Sequence, residues 1–538
     1  MKIKNWIKNS FFKKKSFWKK INFDHEKKKS SKKRILVANL ASGHSLCKIV
    51  ETSMAVALKI RGCDVEFLQC DKVLKACVMC TSHDYKNYSE FLEDGSSKFC
   101  NYCWDQSKKD FIDTKLKVNV LGDYINPEET NKIIEFFNEI DLKKLNINFQ
   151  FQNIKIGEQA IAACYRFLGK PIFENQIEEK IKRKYFISAA ITVVAVKNLL
   201  KKKKFDSIFC NHGIYVPHGT VIDVAMHLGI RTICYGKGYR KNTLIFSNGE
   251  TYHKSMIDEK NSLWKDIEIT KKKEKKLINY IKSRKYGTED WTVYLNDPKK
   301  LNHSILEKIK EKPTITILTN VTWDAQVFYK NNVFKNINDW LIYTIKYFLN
   351  RKDLNIIIRI HPGEISGTVP SKQKIEDLIK SNFKKLPDNF LIIKSSDKTS
   401  TYDLTDLSNC SIIYGTKMGV EITPFGKNVI VCGEAWIKNK NITIDIKNKK
   451  MYRKILDSLP FDFNLSSRKI LLAKKYSYHY FFRRMIKVDF VKFIEKNNRI
   501  SYDYGFNSIN ELKRGRHKGL DTICDAIINE KKEFILDV

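Results

Sequence analysis

The chain has 538 residues and carries 98 Lys+Arg against 60 Asp+Glu, a formal net charge of +38. That length excludes a single small domain and suits two ordinary α/β domains with insertions. The charge calls for a polyanionic partner, with nucleic acid, anionic lipid and an acidic glycan or glycolipid all qualifying, although lysine used throughout a chain also serves plain solvation. No apolar run reaches the ~20 residues that span a bilayer, and the N-terminus lacks the apolar core of a signal peptide, so a cytoplasmic location is expected. Thirteen cysteines fit a reducing compartment, where thiols act as core residues or metal ligands rather than as disulfides.

Residues 1–33 interleave Trp6, Ile7, Phe11, Phe12, Phe17, Trp18, Ile21 and Phe23 with lysines. The pattern suits a peripheral, interfacial segment whose aromatics enter the headgroup zone of an anionic membrane; the competing expectation is a flexible basic tail.

From Arg34 the composition changes. RILVANLASGH reads as a buried strand ending in Asn39, Ser42, Gly43 and His44, SLCKIVETSMAVALKIRG as an amphipathic helix closed by Gly62, and CDVEFLQC as a second strand. The first loop lies at the carboxyl end of a strand, where open α/β sheets bind ligands. His44 is placed to take a proton from an acceptor hydroxyl, with a loop or helix-capping histidine as the alternative. Cys77-Val78-Met79-Cys80 and Cys100-Asn101-Tyr102-Cys103 follow as two C-x-x-C pairs within a cysteine-rich insertion at 70–108. Two such pairs give a four-thiolate structural zinc site, with an Fe–S cluster or free thiols as rivals.

Residues 128–204 read as mostly helical, and YFISAAITVVAVKNLLKKKK as a core helix rather than a span. Arg166 is expected at the surface. FDSIFCNHG and RTICYGKGYR then give two further strands, ending at His212 and at the cationic loop of Lys237. Residues 254–312 are charged and helical, an interdomain connection.

TITILTNVTWDA opens a second α/β unit, with Asn320 at a strand end. IIIRIHPGE ends in Arg359, His361, Pro362, Gly363 and Glu364, and NFLIIKSSD ends beside Ser395. CSIIYGTKMGVEITPFGKNVIVCGEAW carries Gly415, Thr416, Lys417, Gly419, Glu421 and Glu434. Small and hydrogen-bonding residues after β-branched runs are how buried parallel strands meet a ligand, and a helix opening at Met418 favours phosphate at its N-terminus. Arg359, His361, Lys417 and the amides near Gly415 and Gly419 are the expected partners of a leaving phosphate. Glu421 and Glu434 are expected to bind ribose hydroxyls or orient His361 and Lys417. The aromatic, basic KKYSYHYFFRRMIKV returns to the first domain or shares in lipid contact.

The order HPGE, then T-x-x-G-x-E, then GKNVIVCGEAW resembles the C-terminal half of the capsule-polysaccharide biosynthesis glycosyltransferases, a family that includes the bacterial Kdo transferases. The likeness covers residues 310–445, with Lys417 standing where the family pattern has a small or apolar residue. The resemblance implies an α/β fold of two Rossmann-like domains, GT-B-type, here with cysteine-rich and helical insertions. It further implies a hexosyl- or Kdo-type glycosyltransferase acting from a nucleotide sugar, CMP-linked among the possibilities, onto a surface glycan or glycolipid, with no catalytic metal required and no nucleic acid expected. His44, His361 and Glu421 would then be catalytic. Asn39, Ser42, Gly43, His212 and Lys237 would face the acceptor from a domain at 34–253, and a nucleotide-sugar domain at 313–470 would precede a helical C-terminal segment at 471–538. Rival readings are a CDP-polyol phosphotransferase, a nucleotide-sugar 2-epimerase and a non-catalytic polyanion-binding protein.

Overall fold

A computed structural model of the protein describes residues 16–21, 33–105, 107–295, 297–301, 303–324, 329, 331–496 and 499–538. Trp6, Ile7, Phe11, Phe12 and Phe23 lie outside these residues. The first sheet contains β1 (Arg34–Asn39), β2 (Asp64–Gln69), β3 (Lys117–Val120), β4 (Ser207–Asn211), β5 (Arg231–Lys237) and β6 (Thr243–Asn248). Its order is β3-β2-β1-β4-β5-β6; the first five strands run parallel and β6 turns back antiparallel. The second sheet is wholly parallel. It contains β7 (Thr314–Leu318), β8 (Asn355–Arg359), β9 (Phe390–Ile393), β10 (Cys410–Ile413), β11 (Asn428–Val431) and β12 (Ile444–Asp445), in the order β9-β8-β7-β10-β11-β12.

Both sheets therefore step outward from a central first strand and then jump to its other side, which makes two Rossmann-like units. Each has a switch point, at β1/β4 and at β7/β10, where the loops diverge and leave a crevice. Near-continuous apolar strands such as Ile356–Ile358, almost fully excluded from solvent, follow from helices covering both faces. Each large apolar side chain buried in this way contributes about 1.5–3 kcal/mol.

Helix α1 (Ser45–Ile60) is buried from Leu46 to Leu58 apart from the partly exposed Lys48. In the 128–204 region, α2 (Gly157–Leu168) packs against α3 (Gln176–Lys202), whose apolar stretch from Tyr185 to Val196 is buried within the first unit, as a core helix should be. Among the described residues no helix is long and apolar enough to cross a membrane.

Two expectations about the chain ends change. The segment after 471 is not simply helical: α4 (Ser467–Tyr478) runs into a π-helical turn, His479–Arg484, and then a strand, β13 (Ile486–Lys487), which pairs antiparallel with β6. A hairpin of β14 (Val491–Lys496) and β15 (Arg499–Tyr504) follows, and then α5 (Lys518–Ile528). Tyr480, Phe481 and Phe482 are buried, so this segment joins the two units' cores rather than facing lipid. Arg61 anchors α5 by an ion pair to Asp521 at 2.5 Å.

The second change concerns the N-terminal aromatics. Trp18 is fully buried and its indole N–H donates to the Tyr504 hydroxyl at 3.1 Å, while Phe17 stacks on Tyr504 at 3.8 Å. Phe17, Trp18 and the partly buried Ile21 therefore belong to the first unit's core, because the hairpin supplies an aromatic socket that the sequence does not announce.

Candidate functional site

The two switch points open into one cleft between the units. On the second unit's side a cavity of about 120 Å³ is bounded by Thr319, Arg359, His361, Pro362, Thr416, Lys417 and Glu421. On the first unit's side lies a larger cavity of about 390 Å³, reached by His44, Arg166, His212 and Lys237. The two share Thr292 and Tyr294.

On the second unit's wall, His361 lies two residues past β8 with its Nδ1 accepting the Gly363 amide at 2.9 Å, so the neutral ring presents Nε2–H as a donor. Burial, then the Lys417 and Arg359 cations, push its pKa down to about 3, which keeps it neutral at ordinary pH. Lys417 reaches across to the first unit, its ammonium 4.3 Å from the centre of the Tyr239 ring. Burial and Arg284 push its pKa down to about 8, with Glu421 and Asp290 opposing. An arriving phosphate would raise that value again.

Several predicted residues are brought to the wall with a different duty. Arg359 is 2% exposed and spends its guanidinium on the Thr401 hydroxyl at 3.3 Å and the carbonyls of Lys394 at 2.5 Å and Asp397 at 3.1 Å. It fixes the loop that carries Thr401 and Tyr402 into the cavity. Glu421 is fully buried; one oxygen meets Arg284 at 3.3 Å and the other accepts the Tyr402 hydroxyl. Arg284 also holds Asp290 at 2.6 Å, and although burial opposes its charge, Glu421, Tyr280 and Asp290 together raise its pKa. Glu421 thus stands as a positioning group rather than a free catalytic carboxylate.

The helix at this loop, Met418–Ile422, has five residues before a 3-10 turn, too short for the dipole effect expected of it, so side chains carry the charge. A Cβ at Gly419 would meet Ile437 at 2.8 Å, which makes that glycine a packing requirement; a Cβ at Gly415 would make only ordinary contacts from 3.6 Å, and Gly415, Gly419, Asn320 and Glu434 line neither cavity. Asn320 sits beside Gly415, and its Oδ1 has no partner among the described residues. Glu434 is buried next to it, its amide bound to Asn332 at 2.9 Å. Glu364 accepts the Ile375 amide at 2.7 Å and bonds with Ser395. These two line neither cavity and serve the loop after β8, while Gly363 borders the larger cavity.

On the first unit's wall, His44 stands at the mouth, open to water, and enclosure by the walls, then Lys237 and Arg166, press its pKa below the ordinary imidazole value. Lys237 donates to the Thr292 hydroxyl at 2.8 Å, and burial pushes its pKa down to about 8. His212 adopts a left-handed backbone, φ 62°, and lies 5.1 Å from the His253 ring. His212 Nδ1 and both nitrogens of His253 find no partner among the described residues. Burial, then Arg166 and His44, hold His212 down to about 4.

Asn39, Ser42 and Gly43 do not line the cavity. Asn39 is 1% exposed and donates to Glu51, a buried carboxyl that burial pushes up to about 8. Ser42 and Gly43 turn toward the cysteine-rich insertion, where the Gly43 amide meets Cys103 Sγ at 3.2 Å. The turn closed by His44 N–H on the Ala41 carbonyl, 2.9 Å, sends these residues away from the cleft and leaves His44 facing it.

Arg166, expected at the surface, instead enters the cleft and donates to the Val78 carbonyl at 2.6 Å. Arg284, Asp290, Thr292 and Tyr294 come from the stretch read as a connection, and Tyr294 meets the His361 ring at 5.2 Å. Tyr215 donates to Asp324 at 3.0 Å and so joins the two units. No local pattern marked these residues, because each gains its place only when the units close on the connection.

Cys77 and Cys80 face each other across a turn, whereas the Cys100 thiol donates to the Ser96 carbonyl at 3.1 Å and Cys103 holds the Gly43 amide. Among the described residues no three His, Cys, Asp or Glu side chains are grouped to hold a metal ion.

No family model and no curated protein matches the chain. Among solved structures it is similar to the β-Kdo 2,4-transferase KpsC of Thermosulfurimonas dismutans, at 13% identity over 57% of this chain and 87% of that one, TM-score 0.36. It is also similar to the UDP co-structure of MnaA from S. aureus, at 11% identity over 83% and 92%, TM-score 0.27. A putative UDP-N-acetylglucosamine 2-epimerase of Listeria monocytogenes aligns at 10% identity over 83% and 91%, TM-score 0.24. Similarity at this level bears on neither substrate nor chemistry, which rest on the cleft itself.

Proposed function

We propose that the protein is a glycosyltransferase that moves a sugar from a nucleotide-sugar donor to a surface glycan or glycolipid of capsule or lipopolysaccharide type. The observation that supports this most is the meeting of two Rossmann switch points in one cleft, with unlike chemistry on its two walls. The wall with His361 Nε2–H, Lys417 and Thr416 offers donors for a phosphate that gains charge as the glycosidic bond breaks. The larger cavity offers faces for sugar rings from both units, Tyr215, Tyr239 and Tyr252 from the first and Trp323 and Trp436 from the second.

His44, neutral because its pKa is depressed, takes the proton of the attacking hydroxyl. Lys237 and Arg166 supply positive charge for an anionic acceptor. No covalent step on the protein is needed, since holding donor and acceptor in line converts binding energy into rate. Residence at an anionic membrane face belongs to the same reading and rests on the net charge of +38.

The test is a panel of CMP-, CDP- and UDP-linked sugars, followed by melting temperature and by nucleotide release with and without glycan acceptors. One nucleotide class should raise the melting temperature, since binding to the native state alone stabilises it. Its nucleotide should be released, with the sugar appearing on the acceptor, only with acceptor present. Acceptor-independent interconversion of the donor sugar would replace this reading with the 2-epimerase. Transfer of polyol phosphate from a CDP donor would replace it with the phosphotransferase.

A further inference from the structure

Cys100 and Cys103 lie close to Cys80 and Cys77 but make their own hydrogen bonds, with the Ser96 carbonyl and the Gly43 amide, while Cys77 and Cys80 stand together on one turn. Residues 77–80 form a β-turn closed by the Cys80 amide on the Cys77 carbonyl at 3.0 Å. Such a turn holds its end Cα atoms within roughly 7 Å, and a disulfide needs roughly 4.4–6.8 Å. The two thiols lie near enough to perturb each other's titration, and all cysteines are in the thiol form. Cys77 is partly buried and Cys80 is 1% exposed.

The same turn is part of the cleft. Val78 and Met79, between the two cysteines, line the larger cavity. Arg166, in that cavity, donates to the Val78 carbonyl at 2.6 Å and more weakly to the Cys80 carbonyl at 3.4 Å. The Val78 amide donates to the Val216 carbonyl at 2.8 Å, in the loop that begins at His212. A change in the turn must therefore move the arginine, the His212 loop, or both.

We propose that Cys77 and Cys80 are a reversible dithiol–disulfide modification site whose state resets Arg166 and the His212 loop on the first unit's side of the cleft. With a disulfide such as oxidised glutathione as oxidant, one of the two cysteines attacks one sulfur as its thiolate and releases one glutathione thiolate, leaving a mixed disulfide. The other then attacks the mixed disulfide as its thiolate and releases the second. The protein loses two protons and two electrons; two glutathione thiols gain them. Bond formation draws the sulfurs to roughly 2.05 Å and tightens the turn that Arg166 grips.

The full-length chain is treated with oxidised glutathione, blocked at acid pH, and read by intact mass and peptide mapping. Hydrogen exchange over 76–81 and 212–217 is then followed with and without dithiothreitol. The expected result is a loss of two hydrogens mapped to Cys77–Cys80, abolished in Cys77→Ser and kept in Cys100→Ser. A change in exchange over both segments should accompany it and revert on reduction. Failure to form the bond, linkage of either thiol to Cys100 or Cys103, or one tightly bound zinc per chain that shields all four thiols would overturn the proposal. Oxidation that left exchange over 212–217 unchanged would overturn the coupling to the cleft. None of these readouts depends on sugar transfer, so the proposal and the transferase reading fail separately.

Discussion

The two walls of the cleft are built from the same kind of sheet and finished in opposite ways. On the second unit, Arg284, Asp290, Glu421 and Tyr402 satisfy one another, and Arg359 is consumed by carbonyls and a threonine hydroxyl. The charges of that wall compensate one another before any ligand arrives, although Asn320 Oδ1 and Arg284 Nε lack a hydrogen-bond partner among the described residues, and His361 Nε2–H and Lys417 are left over. On the first unit, ring nitrogens of His212 and His253 have no partner among the described residues, and Lys237 has a single hydroxyl. Buried polar groups without partners cost roughly 1–3 kcal/mol each, so this wall too gains from a polar ligand. On the proposed transferase reading, the charge-compensated wall is the seat of the donor phosphate and the histidine-lined wall that of the acceptor.

Breaking the two walls should give different phenotypes. His44→Ala should lower transfer by roughly 10²–10⁴-fold, the usual span for a general base, while the melting-temperature rise with nucleotide survives. His361→Ala and Lys417→Ala should lower it by roughly 10²–10³-fold and also abolish that rise. A His44→Ala variant that lost nucleotide binding, or a Lys417→Ala variant that kept it, would dissolve the division.

The self-satisfied network should show itself as stability. Glu421→Ala leaves Arg284 buried with one carboxylate fewer, and breaking such a pair costs roughly 3–5 kcal/mol in denaturant unfolding. An activity loss with unchanged stability would instead return Glu421 to a catalytic role. Trp18→Ala should cost a comparable ~3–5 kcal/mol, because it empties the socket formed with Tyr504 and Phe506. Wild-type stability in that variant would make the N-terminal stretch a tail after all.

The smallest effect is the pH dependence. His212 and His361 have folded-state pKa values of about 4 and about 3, below the ordinary value of 6.5. The unfolded chain therefore binds more protons as pH falls through 6.5, and stability should decline from there toward pH 3. Lys417 runs in the other window. Its folded value of about 8 lies below the ordinary 10.5, so its contribution to stability rises between pH 8 and 10.5 as burial stops opposing a charge, while nucleotide affinity should weaken above pH 8 as the cation is lost. Lys417→Met should flatten the alkaline affinity profile, and an unchanged profile would assign the titration to another group.

The strands and the two-unit plan were legible in the sequence because they depend on local patterns. Runs such as IIIRI end in small polar residues, and a buried parallel strand has few other ways to stop at a ligand. For the same reason the sequence alone places His44, His212, Lys237, His361 and Lys417 at or just past strand ends. What those strand-end residues do was decided by partners distant in sequence. Arg359 and Glu421 look like free ligands until Lys394, Asp397, Arg284 and Tyr402 are folded against them. Arg166 looks like a surface residue until the 77–80 turn comes to its guanidinium. Phe17 and Trp18 look like membrane anchors until a hairpin from nearly 500 residues away brings Tyr504 onto them. Periodicity and strand endings are properties of a few adjacent residues, whereas charge compensation and aromatic packing are set by whichever groups the closed fold makes neighbours, and those only the tertiary structure fixes.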